Sequence, residues 1–521
     1  QFLLCAAIMI IPTLAMGAIF PLVGRIYSRS LSTLGRHIGD IYFFNTTGSI
    51  VGSFVAGFIL IPHIGVQKGV VMVAALNLIV AAVLLGSARA APVLKVLLTA
   101  GLAVFFTVSA LAVPPWEKTV MTIGPYVNPV ERGGGGEVRL AGLWDRLLYY
   151  KEGVNAVITV RAGGPAGQTI SYQANGKMEA QAVGGRPTEA WALLGHLPML
   201  LHRGEPARAL VVGLGSGITL GAMEHYPIEE IDVVEIEPAV VEASRFFRAS
   251  NNDAIDDPRV RLHITDGRSF LFAAGKKYDV IVSAVSDPWI TGVSNLFTYE
   301  YFTELRNKLR DDDGVVSLWF QNYRITPDEL KTGLNTFARV FPYVNVWFHY
   351  TDALDFIVTG STKPHALDMA GLAGKFSDPE IARGLGTIDI RGPFDLLDLF
   401  LIGNRDLRDY IGDAPLNTDE RPVLEFVLPK HMYLDPALGV KTVEEMLKGV
   451  TRVVPPVVFD ERDSEEFYMA LGRTFNRSNF RLRQALVVFE KVLEINPDNR
   501  EAMGYVENIR RELSGGAGRG S

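Results

Sequence analysis

The chain has 521 residues, enough for roughly two to four domains. Hydrophobic residues make up 48% and the net charge is −7 with no long basic run, which argues against nucleic acid as a partner. The single cysteine, Cys5, lies in an apolar segment and excludes disulfides within one chain and cysteine-based metal sites.

The sequence opens at Gln1 inside an apolar run, with no Met and no basic leader, and so reads as a fragment or processed product missing an upstream part, not as a signal peptide. Four segments, about 2–24, 38–62, 69–86 and 93–113, are long and apolar enough to span a bilayer. Gly48, Gly52 and Gly57 suit close helix packing in lipid. The run has almost no polar face, which argues against four buried helices of a soluble domain. Asp40 and Lys95 sit near segment ends, where charge reaches the interface. Loop 25–37 carries Arg25, Arg29 and Arg36 and no acid, so the positive-inside rule places it in the cytoplasm. Three further crossings then put residue 114 outside the cell, whereas a nucleoside-dependent enzyme belongs in the cytosol. Either one span is miscounted or the soluble part uses no cytosolic metabolite.

Pro114–Pro115 ends this region, and the Gly run 133–136 reads as a flexible loop. Residues 137–180 alternate like short antiparallel strands, Val154–Val160 and Thr169–Gln173, with turns at Gly163–Gly164 and Asn175–Gly176. From about 188 helices and strands alternate, the pattern of a parallel doubly wound sheet. Its most informative stretch is 209–237. An apolar strand, Ala209–Val212, meets Gly213, Gly215 and Gly217 at alternate positions. A helix follows over about Thr219–Tyr226, and a second strand, Ile231–Val234, ends at Glu235. Glycines let the backbone approach a ligand where a Cβ would clash. The helix start offers unpaired N–H groups, and a carboxylate about 20 residues on can accept from two ribose hydroxyls. The combination predicts a nucleoside-containing ligand; a tight turn with a solvated Glu is the alternative.

Further strands are expected at Val260–Ile264, Val280–Val282, Val315–Phe320, Val344–Trp347 and Phe356–Thr359. Residues 361–430 are mixed. The region 464–512 is helical and resembles one tetratricopeptide repeat through Leu471–Gly472, Ala485, Phe489 and Pro497, followed by a tail, SGGAGRGS, expected to be disordered. A helical hairpin packed on its own domain is the plainer reading of that repeat, and a docking surface for a protein partner the other. The expected domains are a membrane region (1–113), a linker and β-rich subdomain with a small β-hairpin (114–185), an α/β domain (186–435) and a helical C-terminal region (436–521).

The runs NGKMEA (175–180), HLPMLLH (196–202), VVGLGSG (211–217), EIEPAVVEASRFF (235–247), DDPRVRLHITDGRSFL (256–271), DPWITGVSNLFT (287–298) and NTDERPVLEF (417–426) resemble the spermidine synthase, or polyamine aminopropyltransferase, family over residues 137–350. The apolar runs PTLAMGAIFPLVGRIY and FFNTTGSIVGSFVAGFILIP extend the resemblance to its bacterial membrane-fused branch, in which transporter-like helices precede that domain. The resemblance implies a Rossmann-like domain of the class I methyltransferase type in a multi-pass bacterial inner-membrane protein. It also implies decarboxylated S-adenosylmethionine or S-adenosylmethionine as cosubstrate, no metal, and a homodimer. Gly213, Gly215 and Gly217 fall on the cosubstrate loop, Glu235 on the ribose acid, and Asp266 and Gly267 on the position that contacts the adenine amino group. Asp266 also suits the N-cap of a helix over Arg268–Ala274.

The acceptor half departs from the family pattern. The typical Asp-Ser-Ser-Asp-Pro falls on Ala284-Val285-Ser286-Asp287-Pro288, so its first acid is Ala284. The Tyr-Gln pair falls on Asn155-Ala156, the Tyr-His pair on Ala190-Trp191, and Asp-Gly-x-x-Gln on Asn175-Gly176-Lys177-Met178-Glu179. A polycation site needs carboxylates to offset desolvation. Asp287 and Glu179 are the remaining acids that could orient and deprotonate an amine, and Trp191, Trp289, Phe297 and Trp319 could line a more apolar pocket. Core packing accounts for at least half of those aromatics. Asn417–Pro422 reads as a capped turn or as a cover bringing an extra acid, Asp419; His196 and His202 lack the spacing of a metal site.

Three functions follow. The first is a membrane-anchored transferase moving an aminopropyl group to an amine or a less charged acceptor. The second is an S-adenosylmethionine methyltransferase, favoured by a basic or N–H-rich partner for the methionine carboxylate near Gln173–Lys177. The third is a non-catalytic nucleoside-binding or sensor domain coupled to the membrane part.

Overall fold

A computed structural model describes the chain apart from residues 1, 29, 89–90, 125–129, 133–137, 141–144, 311–312, 349–354, 365, 432–437, 449, 451, 461–463, 478–480 and 517–521. The expected glycine loop 133–136 and the end of the expected tail lie outside the described residues. The chain forms two compact units, one of residues 1–117 with 152–154 and one of 118–151 with 155–521.

The first unit is helical: α1 (Phe2–Tyr27), α2 (Leu34–Phe54), α3 (Val66–Ser87) and α4 (Pro92–Ala112). A wider π-helical turn, Val55–Leu60, and a last turn, Ile61–Ile64, prolong α2. Pro62 in that last turn lacks an N–H, which removes a backbone donor where the helix widens. By length and composition four helices can cross a membrane, the shortest having 21 residues. At about 1.5 Å per residue that matches a hydrocarbon core of about 30 Å. Their apolar side chains are almost wholly exposed, an arrangement that suits lipid and not water.

The second unit holds two main sheets. An antiparallel sheet follows chain order through β1 (Arg146–Glu152), β2 (Val157–Gly163), β3 (Thr169–Ala174), β4 (Lys177–Val183) and β5 (Arg186–Pro187). The turn Asn175–Gly176 has positive φ at both residues, as a two-residue hairpin linking β3 to β4 requires. Helix α5 (Glu189–Leu201) leads into the α/β part. There β6 (Arg208–Val212), α6 (Ile218–Met223), β7 (Glu230–Glu235), α7 (Pro238–Ser244), β8 (Val260–Ile264), α8 (Gly267–Ala273) and β9 (Val280–Ser283) alternate. They are followed by α9 (Tyr299–Lys308), β10 (Val315–Gln321), α10 (Pro327–Val340), β11 (Tyr343–Phe348), β12 (Asp355–Ser361) and β13 (Phe400–Gly403).

The eight strands run in the order β8-β7-β6-β9-β10-β12-β11-β13. The first five are mutually parallel, as the alternation predicts, but β10/β12, β12/β11 and β11/β13 pair antiparallel. For β12 the reason is the connection: six residues, 349–354, follow β11, too few for a parallel crossover, which needs about a dozen, so β12 runs back between β11 and β10. Strand β13, in the stretch hardest to read from sequence, closes that edge. The parallel strands are buried on both faces. Ala209 and Val211 of β6 enter one apolar layer and Leu210 and Val212 the other, the period-two alternation of a strand.

After a helix at Leu438–Lys448, the C-terminal region continues with α11 (Ser464–Phe475), α12 (Leu482–Ile495) and α13 (Arg500–Gly516). A Cβ on Gly472 would meet the Phe489 ring at 2.6 Å, so α11 and α12 approach at a glycine. Buried Arg481 donates to the carbonyls of Asp398 and Phe400 at 2.6 and 2.8 Å, fixing these helices to β13. Helix α13 continues to Gly516, so the first tail residues, expected to be disordered, are helical.

Candidate active site

The parallel strands β6, β7 and β9 end at Val212, Glu235 and Ser283, and their carboxyl ends open into a cavity of about 830 Å³. Strand order reverses between β6 and β9, the switch point at which open α/β sheets bind ligands. Loops after the strands form one half of the cavity and the antiparallel sheet contributes to the other.

On the first half, Gly213 has φ +92° and a Cβ there would strike the Ala284 carbonyl oxygen at 2.4 Å. Only glycine lets β6 and β9 continue so close together. Gly213 and Gly215 line the cavity. Gly217 does not: with φ +77° it turns the chain into α6 and packs on Asn251. The helix behind the loop is shorter than expected, ending at Met223. Glu235 is 7% exposed and its two oxygens accept from the Leu214 and Glu237 N–H groups, each at 2.9 Å. Burial pushes its pKa up and these donors pull against that. The Ile236 and Gly215 N–H groups add to these donors, and the carboxylate lines the cavity. Glu237 accepts from the Ala239 N–H at 3.1 Å and the Asn155 N–H at 2.9 Å. Asp266 caps α8 through the Ser269 N–H at 2.7 Å and lines the cavity with Gly267.

The other half brings together residues far apart in sequence. Lys177 and Glu179 alternate on β4 and so share a face. The Lys177 ammonium lies 2.9 Å from Glu179 and also contacts Asp287. Ser286 donates to Glu179 at 2.8 Å and the Tyr323 hydroxyl donates to Asp287 at 2.5 Å. Burial works against the Lys177 charge, but Asp287 and Glu179 outweigh it and hold the ammonium protonated. Burial raises the Glu179 pKa, with Lys177 opposing. Glu179 reaches the cavity; Asp287, 0% exposed, stands behind the wall. Ala284, just after β9, lines the cavity with a methyl group. Of the four candidate aromatics, Trp191 and Trp289 line the cavity, Trp319 stacks behind Trp191 at 5.5 Å, and Phe297 packs on Phe320 in the core.

Asn417 is buried and bonds the Phe297 carbonyl and the Leu424 N–H, as a capped turn does, while Asp419 pairs with Arg268 and does not line the cavity. His196 lies 3.0 Å from the Tyr226 hydroxyl and His202 is bonded to Gly204. Sequence reasoning missed Ser286, Tyr323 and Tyr172 as members of the wall and its support. Only Lys177 carried a signal, its spacing of two from Glu179. Among the described residues lining the cavity, four are carboxylates (Glu179, Glu235, Glu237 and Asp266) and none is Lys, Arg or His.

A family profile for the spermine/spermidine synthase domain matches residues 191–365. A polyamine aminopropyltransferase of Pyrobaculum calidifontis is 32% identical over 223 residues, which are 40% of this chain and 75% of that protein. A spermidine synthase of Dictyostelium discoideum is 34% identical over 160 residues, 30% of this chain and 55% of that one. The crystal structure of spermidine synthase from Thermotoga maritima aligns with a TM-score of 0.38 and 19% identity over 58% of this chain and 88% of that one. With three quarters of the Pyrobaculum enzyme's length matched at that identity, the chain belongs to the spermine/spermidine synthase family.

Proposed function

We propose that this domain transfers an aminopropyl group from decarboxylated S-adenosylmethionine to an amine, and that the four apolar helices anchor it in a bilayer. The observation that carries this reading is the charge of the cavity: its ionisable lining is acidic, with no lining cation among the described residues. A cosubstrate bearing a sulfonium and a free ammonium suits such a wall. The carboxylate of intact S-adenosylmethionine would face like charges, and Lys177, the cation a methyltransferase would need in this region, is held by Glu179 and Asp287. The names of the Pyrobaculum and Dictyostelium relatives point the same way.

In this reading Glu235 takes the ribose hydroxyls, Asp266 accepts from the adenine amino group, and the glycine loop at Gly213 and Gly215 lets backbone close on the nucleoside. Gly217 and Gly267 shape that loop and the start of α8. Glu179 orients the acceptor and takes its proton; a carboxylate with a raised pKa is the better base near neutrality. The amine nitrogen then bonds to the carbon beside the sulfonium as the carbon–sulfur bond breaks, leaving a neutral thioether. Asp287 acts as a positioning residue through Lys177. Trp191 and Trp289 pack the acceptor's carbon chain.

Calorimetric titration of the full chain in detergent with the decarboxylated cosubstrate, S-adenosylmethionine and methylthioadenosine tests the proposal. Tighter binding of the decarboxylated form is expected, about tenfold or more for one uncompensated carboxylate. Preference for S-adenosylmethionine would overturn it.

A further inference from the structure

We infer that Lys177 is a built-in ammonium filling one cation position of the acceptor subsite, so that the acceptor brings one cationic nitrogen and an otherwise apolar body. The inference rests on the reading of the cavity as an aminopropyltransferase site and adds to it the class of acceptor.

Three observations carry it. First, the charges: Glu179 and Asp287 form an acidic pair beside the cavity, and the Lys177 ammonium bridges them at 4% exposure. One tethered positive charge against two negative ones leaves a single net negative charge for an incoming ligand. Second, the hydrogen bonds: Ser286 and Tyr323 donate to the same two carboxylates. Asp287 is thereby enclosed by internal donors, and Glu179 alone faces the cavity. Third, the wall after β9: Ala284, Val285, Trp289 and Ile290 offer no carboxylate to a second ammonium, and the other lining acids, Glu235, Glu237 and Asp266, stand on the opposite half with the glycine loop. A diamine would have to bury its distal charge against apolar groups, where an unpaired ion is costly. Lys177 cannot itself serve as the nucleophile, because the paired carboxylates keep its nitrogen protonated.

The test compares diaminobutane with butylamine, two amines of equal chain length, by calorimetry on the full chain saturated with methylthioadenosine. Wild type is expected to bind butylamine at least as tightly as diaminobutane. In Lys177→Ala the vacated acid pair should take the second ammonium, and the affinity ratio should shift toward diaminobutane by about tenfold or more. A wild-type preference for diaminobutane, an unchanged ratio in Lys177→Ala, or no binding of either amine to wild type overturns the inference. If Lys177→Ala does not fold, the wild-type ratio decides alone. Methylthioadenosine binding is read first: its absence in wild type sinks the reading of the cavity, whereas its presence with a diamine preference sinks only the role of Lys177.

Discussion

The two halves of the cavity are built by different means. The nucleoside half is made largely of backbone: a glycine with positive φ pressed against the Ala284 carbonyl, and carboxylates fixed by main-chain N–H groups. The acceptor half is made of side chains from β4 and from the segments after β9 and β10, joined through Lys177, Glu179, Ser286, Asp287 and Tyr323. Backbone geometry survives most substitutions, while a side-chain network is rewritten by one or two. In the proposed reading, the glycine loop, Glu235 and Asp266 serve the nucleoside, and Ala284 and a buried lysine lie across the cavity from them.

Removing an acid from each half exposes the contrast. The largest effect is expected for Glu235→Ala: loss of measurable methylthioadenosine binding in a titration. The variant also strips the acceptor from two buried N–H groups, at about 1–3 kcal/mol of stability. Glu235→Gln retains one acceptor oxygen and separates the two effects. Nucleoside binding unchanged in a folded Glu235→Ala protein would remove Glu235 from the site.

Glu179→Gln should leave nucleoside binding intact and lower turnover by about a hundredfold, the scale of a lost general base. Glu179 must be ionised to take a proton, and burial raises its pKa above 4.5. Turnover should therefore climb with pH through a midpoint above the ordinary carboxylate range, and Glu179→Gln should abolish that limb. A wild-type rate, or an unchanged pH profile in the variant, would strip Glu179 of its role.

The same contrast governs what was legible in the sequence. Strand, glycine turn and acid lie within residues 209–237, so local pattern located β6, β7 and Glu235. Asp266 showed itself as a cap immediately before α8. The acceptor wall was legible only in part, because Lys177 and Asp287 meet through tertiary packing and no local period links β4 to the loop after β9. Lys177 and Glu179 at alternate positions gave the shared face but not the acid that completes it. Asp287 showed itself as an acid, but its place behind the wall depends on Tyr323, a residue with no local mark. The antiparallel edge escaped for a similar reason: its strands have ordinary apolar patterns, and the direction of β12 is set by the short link 349–354.

The smallest effect is expected at Asp266, where structure and binding share one carboxylate. Its oxygen accepts from the Ser269 N–H at the start of α8, and loss of such a cap costs about 1 kcal/mol. Asp266→Ala should therefore show a modest loss of stability in denaturant together with about tenfold weaker methylthioadenosine binding, the amount that one hydrogen bond of about 1.4 kcal/mol represents. Asparagine caps helices as well as aspartate does and keeps a carbonyl oxygen toward the cavity. Asp266→Asn should consequently recover the stability and most of the affinity. If Asp266→Ala loses stability but binds the nucleoside as wild type does, Asp266 is a cap and nothing more, and the adenine end of the cavity is held by backbone alone. That result would make the division between the halves sharper still, leaving Glu235 as the one side chain on which nucleoside recognition turns.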